Sequence, residues 1–239
     1  MAFAPEEAKM YRPPGWIKPN LPLEINSILE SKILSNDGKQ ITCIIDAWYG
    51  NLTEDTQPEY VICFVNKYNN HGGIAIIETA DTGLNILAFL ERPDYYPFRV
   101  SVGDVDNDGT SEIVAGIFRP AKHQPTQFMM DVYIFSLRHD KIQTKWATQS
   151  NPYSDLRVVF LGGEWKFLFL KQDKKSSQIG VYTWNGFNFW LDQKFLFNAK
   201  VQMGDVMGEP VVQIPGGRCL KIIKDKETYK LISSLEALK

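Results

Sequence analysis

The chain has 239 residues, with 26 basic and 28 acidic side chains and a net charge of −2 at neutral pH. This length can bury a sizeable core in one domain of repeats or in two domains. The balanced charge excludes a general attraction to nucleic acid or anionic membranes. No apolar run approaches the roughly 18 residues of a membrane span. We therefore expect no nucleic-acid partner and no membrane insertion.

Residues 1–23 contain several prolines and predict an extended N-terminal arm. They lack a basic region followed by an apolar stretch, so they do not predict a signal peptide. A chain that begins after a removed signal would look the same, which leaves the compartment open. The next segment, EINSILESKIL at residues 24–34, predicts one strand ahead of the first repeat.

From about residue 38 the chain repeats a hairpin followed by two further strand-like runs. The first copy contains ITCIIDAWYG, EYVICFV, GGIAIIETAD and LNILAFLER. Apolar β-prone residues bounded by turn residues are typical of strands. Cys43 and Cys63 fall on the paired strands of this hairpin. We favour two free thiols there, with a cross-strand disulfide as the alternative.

The second copy contains the most informative stretch, VSVGDVDNDGTSEIVAG at residues 100–116. Its acidic residues alternate ahead of Gly109, which permits a sharp turn. Four carboxylates this close repel one another unless a cation lies among them, and oxygen-only ligands suit Ca²⁺. The predicted Ca²⁺ ligands are Asp104, Asp106, Asp108, Glu112 and the carbonyl of Thr110.

This loop differs from an EF-hand, because the glutamate needed at its twelfth position is Ala115. The flanking segments also alternate like strands and not like helices. The acidic loop is therefore predicted at the tip of a β-hairpin. A solvated acidic turn without an ion is the alternative interpretation.

Two later hairpins are degenerate copies of the acidic one. VQMGDVMGEPVVQI at 201–214 matches it with the middle of the loop deleted, and LRVVFLGGEWKFLFL at 156–170 lies midway. Both lack the alternating acids, so we expect no metal in them. The acidic segment of the first hairpin lacks the glycine and the alternation, and we expect none there either; it contains Asp46, Glu54, Asp55 and Glu59.

Four-stranded antiparallel units that repeat every 40–60 residues are the mark of a β-propeller. The predicted fold class is all-β, a propeller of about four to five four-stranded antiparallel blades. A single propeller domain is expected over residues 24–239, with blades at about 38–92, 97–149, 154–195 and 198–236. We expect Trp146, Trp184 and Trp190 to pack between blades. Platforms on which sugars stack are the alternative interpretation.

Three arrangements of these blades remain open. The chain can close as a small ring with residues 24–34 beside the last blade, which we favour. It can build a fifth blade from both termini. It can also be completed by a second subunit, so we expect either a monomer or a ring-completing homo-oligomer.

The segment GDVDNDGTSEIVAG resembles the FG-GAP (VCBS-type) repeat of integrin alpha-chain propellers and of many bacterial secreted proteins. In that family a D-x-D-x-D-G-x-x-[DE] loop joins the first two strands of a blade and binds Ca²⁺. The motif is complete once here, and the other three copies lack the acids. The resemblance implies a calcium-binding propeller in an extracellular or periplasmic location, with the cytoplasm left open.

The usual signatures of a nucleophile and its base are missing from the sequence. Its histidines, His71, His123 and His139, fall in predicted loops of different repeats. We therefore expect a non-catalytic, calcium-stabilised module that binds a protein or carbohydrate ligand. The alternative is a propeller-type enzyme, such as a polysaccharide lyase or hydrolase.

Two segments predict loops longer than a blade needs, at residues 49–58 and 119–127. Both are polar and contain proline, and loops on a rigid scaffold commonly carry function. We expect the ligand to bind through loops of one propeller face. Tyr95, Tyr96 and Phe98 are either further ligand contacts or packing between the first two blades.

Overall fold

A computed structural model describes residues 21–32, 42–53, 57–66, 69, 71–80, 83–93, 95–121, 124–148, 153–206 and 209–233. Nearly all of the predicted N-terminal arm lies outside these ranges. In the described ranges no helix is long and apolar enough to cross a membrane.

One helix precedes sixteen strands in the described part of the chain. The helix α1 spans Leu23–Lys32. The first eight strands are β1 Thr42–Gly50, β2 Glu59–Asn66, β3 His71–Ala80, β4 Gly83–Pro93, β5 Tyr96–Gly103, β6 Glu112–Ala121, β7 Gln124–Arg138 and β8 Lys141–Ala147. The others are β9 Asp155–Leu161, β10 Glu164–Gln172, β11 Ser177–Trp184, β12 Phe189–Phe197, β13 Gln202–Val206, β14 Glu209–Ile214, β15 Arg218–Asp225 and β16 Thr228–Ser233.

The strands form four sheets, each made of four consecutive strands in chain order. The resolved pairings are antiparallel, as expected for strands joined by short turns. At the β7–β8 turn, His139 and Asp140 both have positive φ, of 50° and 57°, which matches the tight turn of a twisted hairpin. The predicted fold class, all-β with four-stranded antiparallel blades of the propeller type, is confirmed, and the described residues build four such blades.

The chain divides into two compact units. The first contains α1 and the sheets β1–β4 and β5–β8. The second contains residues 103–109 and the sheets β9–β12 and β13–β16. The single domain over 24–239, its blade limits, ring closure and the oligomeric state stay predictions.

The strand predicted at residues 24–34 is wrong, because Leu23–Lys32 is a helix. Ile25, Ile28 and Leu29 follow the three- and four-residue spacing of one helical face. Ile25 and Leu29 are fully buried against apolar residues of the first sheet, including Phe64. The helix therefore covers that sheet, and this segment cannot close a ring as a strand.

In the second unit the apolar core lies between its two sheets. It joins Leu168, Leu170 and Val181 of the third sheet to Val212 and Ile222 of the fourth. Phe195 and Phe197 of the outer strand β12 pack against the same core. This burial is the main force that holds the two sheets together.

The aromatic residues near the start of β5 pack inside the first unit. Tyr95, Tyr96 and Phe98 are at most 3% exposed, and Phe98 stacks on Phe118 with centroids 4.5 Å apart. They are therefore packing residues and not ligand contacts.

The three tryptophans predicted to pack between blades differ in exposure. Trp184 is buried and Trp146 half-buried, whereas Trp190 is 65% exposed. The packing prediction is therefore wrong for Trp190, which lies on β12, the edge strand of its sheet.

Two further sequence predictions can be compared with the structure. The prediction of a loop at 119–127 is wrong over most of its length, because β6 runs to Ala121 and β7 begins at Gln124. The three cysteines are free, as favoured. Cys43 lies opposite Val65 and Cys63 opposite Asp46, so the two thiols are not cross-strand partners.

Candidate metal centre

The acidic loop connects β5, which ends at Gly103, to β6, which begins at Glu112. Carboxylate oxygens of Asp104, Asp106 and Asp108 all lie within 4.8 Å of one another. Asp104 and Asp106 are half-buried and Asp108 is exposed. The alternating acids of the motif are therefore gathered at one point.

Asp104 holds the loop in its curled form. Its Oδ1 accepts a hydrogen bond from the backbone N–H of Asp108, and its Oδ2 accepts one from Gly109, both at 3.0 Å. Asn107 and Gly109 have φ of 58° and 90°. This left-handed region favours glycine and asparagine, so both residue types match the conformation.

The three aspartates fit a calcium ion. Ca²⁺ binds oxygens at about 2.3–2.6 Å, so two ligands on opposite sides of the ion are separated by about 5 Å. Oxygens within 4.8 Å of one another can therefore share one ion. The hydrogen bonds to Asp104 leave lone pairs for a metal, because a carboxylate offers about four acceptor positions.

The other two predicted ligands are placed differently. Thr110 is exposed in the loop. Glu112 is 1% exposed at the start of β6, and its Oε1 accepts a hydrogen bond from Nζ of Lys145 at 2.9 Å. Sequence reasoning missed Lys145, which is 33 residues away along the chain.

Gly103 fixes the base of the loop through a close contact. A Cβ atom at this position would lie 2.5 Å from the Cε3 atom of Trp165 on β10, which is well inside van der Waals contact. Glycine is therefore required where the loop leaves β5. Gly103 belongs to the acidic motif of the sequence, but its packing against Trp165 follows only from the tertiary structure.

The acids of the first hairpin serve other purposes. Asp46 is buried and accepts hydrogen bonds from the backbone N–H of Val100 at 3.0 Å and from Arg99 at 3.5 Å. Glu59, which is also buried, accepts hydrogen bonds from the Leu52 N–H and the Thr53 hydroxyl, both at 2.7 Å. Glu54 and Asp55 lie outside the described residues.

Three candidate nucleophiles and bases can be placed among the described residues: Cys63, His71 and His139. Burial raises the pKa of the Cys63 thiol well above its usual value, and the charge of Asp46 raises it further. The thiol is therefore protonated at neutral pH and unreactive. His71 lies 3.7 Å from Glu91 and His139 is exposed at a turn. His123 lies outside the described residues.

A pair of tyrosines, one exposed and one half-buried, lies at the base of the predicted loop 49–58. Tyr49 is 56% exposed, and its ring lies 4.5 Å from that of Tyr60, its cross-strand partner. Burial, and then the neighbouring Tyr49, raise the pKa of Tyr60. The Tyr60 hydroxyl is therefore protonated at neutral pH and can donate a hydrogen bond.

No family model matches the chain, and a search of curated proteins found no match. Solved structures give partial likenesses. An exotype rhamnogalacturonan lyase has 15% identity over 75% of this chain and 40% of that chain, with a TM-score of 0.47. A rhamnogalacturonan lyase from Bacillus licheniformis has 15% identity over 72% of this chain and 39% of that chain, with a TM-score of 0.45. A β-fructofuranosidase from Schwanniomyces occidentalis has 13% identity over 82% of this chain and 46% of that chain, with a TM-score of 0.46.

The chain spans less than half the length of each of these solved structures. At these identities the likeness concerns the fold alone, and nothing about activity follows from it.

Proposed function

We propose that this protein is a non-catalytic binding module of the β-propeller class, stabilised by a calcium ion. The observation that carries the proposal is the convergence of three aspartate carboxylates within 4.8 Å on a glycine-containing loop. The resemblance of the same residues to the FG-GAP loop supports Ca²⁺ as the ion. It also supports an extracellular or periplasmic location.

The ion would be held by Asp104, Asp106 and Asp108, with the Thr110 carbonyl and Glu112 as further expected ligands. These carboxylates converge only in the folded loop. An ion that binds only the folded state stabilises it by about 2.7 kcal/mol at a hundredfold excess over Kd. Carboxylates engaged as metal ligands are not free for acid–base chemistry.

The ionic contacts of the first unit also favour binding over catalysis. Two buried acids there are each paired with a basic side chain: Asp46 with Arg99, and Asp131 with Arg119. Such pairs join strands and leave their acids engaged. The exposed Tyr49 instead offers an aromatic surface at loop 49–58, which suits a protein or carbohydrate ligand.

The calcium proposal is tested by thermal unfolding of metal-free protein with Ca²⁺ or with excess chelator. We expect Ca²⁺ to raise the melting temperature by several degrees. Asp106→Asn should abolish this response, because it removes one of the three converging charges. Asp140→Asn is the matched control, since it removes one charge from an exposed turn of another hairpin. Identical curves with Ca²⁺ and chelator would contradict the proposal.

The choice between binding and catalysis needs a separate measurement. Capture of proteins and glycans by wild type and by Tyr49→Ala should show a weaker interaction for the variant. A panel of polysaccharides and esters, incubated with the same protein, should show no turnover. Robust turnover that is lost on substitution of acidic residues would favour the enzyme interpretation instead.

A further inference from the structure

The exposed Trp190 lies on an ordered sheet face and not on a loop. It is directly opposite Thr183 in the β11–β12 pair, so the two side chains project from the same face. Further along β12 this face carries Phe195, which packs into the core of the second unit. Trp190 therefore marks the point where the packed face of the sheet meets solvent.

A fixed polar row continues from Thr183 across the same face. Lys166 on β10 donates from Nζ to the Thr183 hydroxyl at 2.5 Å, and the Thr183 hydroxyl donates to Asp192 at 2.8 Å. The same Nζ lies 2.7 Å from Glu164 and 3.1 Å from Asp192. One nearly buried ammonium group thus orders a hydroxyl and two carboxylates.

The accessible groups of this row are mainly hydrogen-bond acceptors. The Lys166 side chain is 5% exposed, whereas that of Glu164 is 51% exposed and that of Asp192 is 27% exposed. Lys224 also approaches Glu164, at 3.6 Å. The hydrogen bond from Lys166, and then its charge, lower the pKa of Glu164. This carboxyl is therefore ionised at neutral pH and offers acceptor atoms to solvent.

We propose that Trp190 and this polar row form a binding site for neutral saccharides. A pyranose ring has an apolar C–H face, which suits the electron-rich face of an indole, and a rim of hydroxyl groups that donate hydrogen bonds. Glu164 and Asp192 supply fixed acceptors on the sheet face that also carries the indole. This site deepens the proposed binding function, because it assigns neutral saccharides to a surface separate from Tyr49, and it does not depend on the calcium loop.

The surroundings of Trp190 favour a sugar over other ligands. A protein hot spot needs a ring of contacts that excludes water, but the neighbours of Trp190 on its face are polar. Leu191 is exposed as well, yet successive side chains of a strand point to opposite faces. Acidic saccharides are disfavoured because the most exposed charge of the row is the carboxylate of Glu164.

The test begins with an array of neutral and acidic oligosaccharides, followed by calorimetry with the strongest neutral ligand. Trp190→Ala should weaken this binding by about tenfold or more, and Trp190→Phe by less. Phe187→Ala is the matched control, because Phe187 is an 85% exposed aromatic in the turn before β12. It should bind as wild type does. Unfolding curves of all variants should coincide, since Trp190 is largely exposed.

Each outcome decides the proposal. Binding of neutral saccharides that is lost in Trp190→Ala and kept in Phe187→Ala supports it. Absence of binding across the array overturns it, as does equal or tighter binding of acidic saccharides. Unchanged affinity in Trp190→Ala would also overturn it, because the ligand would then bind elsewhere. The chelator experiment on the calcium loop is independent, so failure of one proposal is distinguishable from failure of the other.

Discussion

Replacing Gln193 with alanine should weaken the contact between the third and fourth sheets. The side-chain amide of Gln193 on β12 makes two hydrogen bonds to the backbone of Tyr229 on β16. It donates from Nε2 to the Tyr229 carbonyl at 2.7 Å and accepts from the Tyr229 N–H at 2.8 Å. Because β16 is the edge strand of its sheet, this amide takes the place of a neighbouring strand.

The cost of the substitution follows from these two bonds. A net contribution of about 0.5–1.5 kcal/mol for each hydrogen bond predicts a loss of about 1–3 kcal/mol in the free energy of unfolding. Tyr229 is only 5% exposed, so water replaces the lost bonds poorly and the upper part of this range is expected. Gln193→Glu should not rescue the loss, since a carboxylate oxygen would then face the carbonyl of Tyr229.

Stability is measured by urea-induced unfolding, with circular dichroism as the signal. Free energies of unfolding are compared between proteins that show the same dependence of this free energy on urea concentration. Lys194→Ala is the matched control, because Lys194 is the next residue of the same strand and is exposed. It should change stability by less than about 0.5 kcal/mol. If Gln193→Ala is no more destabilising than Lys194→Ala, the argument that this amide seals the edge of β16 is refuted.

Three further predictions concern stability. Leu29→Ala should lower the free energy of unfolding by about 2–5 kcal/mol, because Leu29 is fully buried. Leu23→Ala, at an 84% exposed position of the same helix, should change it little. Equal effects in chemical unfolding would contradict the packing of the helix against the sheet. The Tyr95 hydroxyl is buried without a hydrogen-bond partner in the described residues. Tyr95→Phe should therefore leave the melting temperature unchanged or raise the free energy of unfolding by about 1 kcal/mol. A clear loss of stability would be evidence that the hydroxyl makes a favourable contact. The pKa of Glu164 is lowered, chiefly by the hydrogen bond from Lys166. This pair therefore stabilises the fold above the ordinary pKa of 4.5, and its contribution is lost as pH falls through the lower folded value. In stability curves measured across that pH range, Lys166→Met should remove this loss, and an unchanged pH profile would speak against the prediction.

Much of the sheet structure could be predicted because its signals are local. The turn at Asn185 and Gly186 lies between β11 and β12, as its sequence suggests, and Gly186 has a φ of 91°. Alternating apolar residues and turn residues act within a few positions of the chain. The helix at Leu23–Lys32 was not predicted, because its signal depends on a partner surface elsewhere in the chain. Three apolar residues at 25, 28 and 29 fit a helical face, but so short a segment is ambiguous until a partner surface is present.

The sequence by itself determined that the chain builds repeated antiparallel hairpins and that one of them carries alternating carboxylates around Gly109. Both follow from residue types at fixed short spacings. Only the tertiary structure decided that Asp46 pairs with Arg99, 53 residues away, and that Glu112 pairs with Lys145. It also decided that Trp190 faces solvent. Burial of a charge or an aromatic ring depends on which surface packs against it, and distant strands of the chain supply that surface.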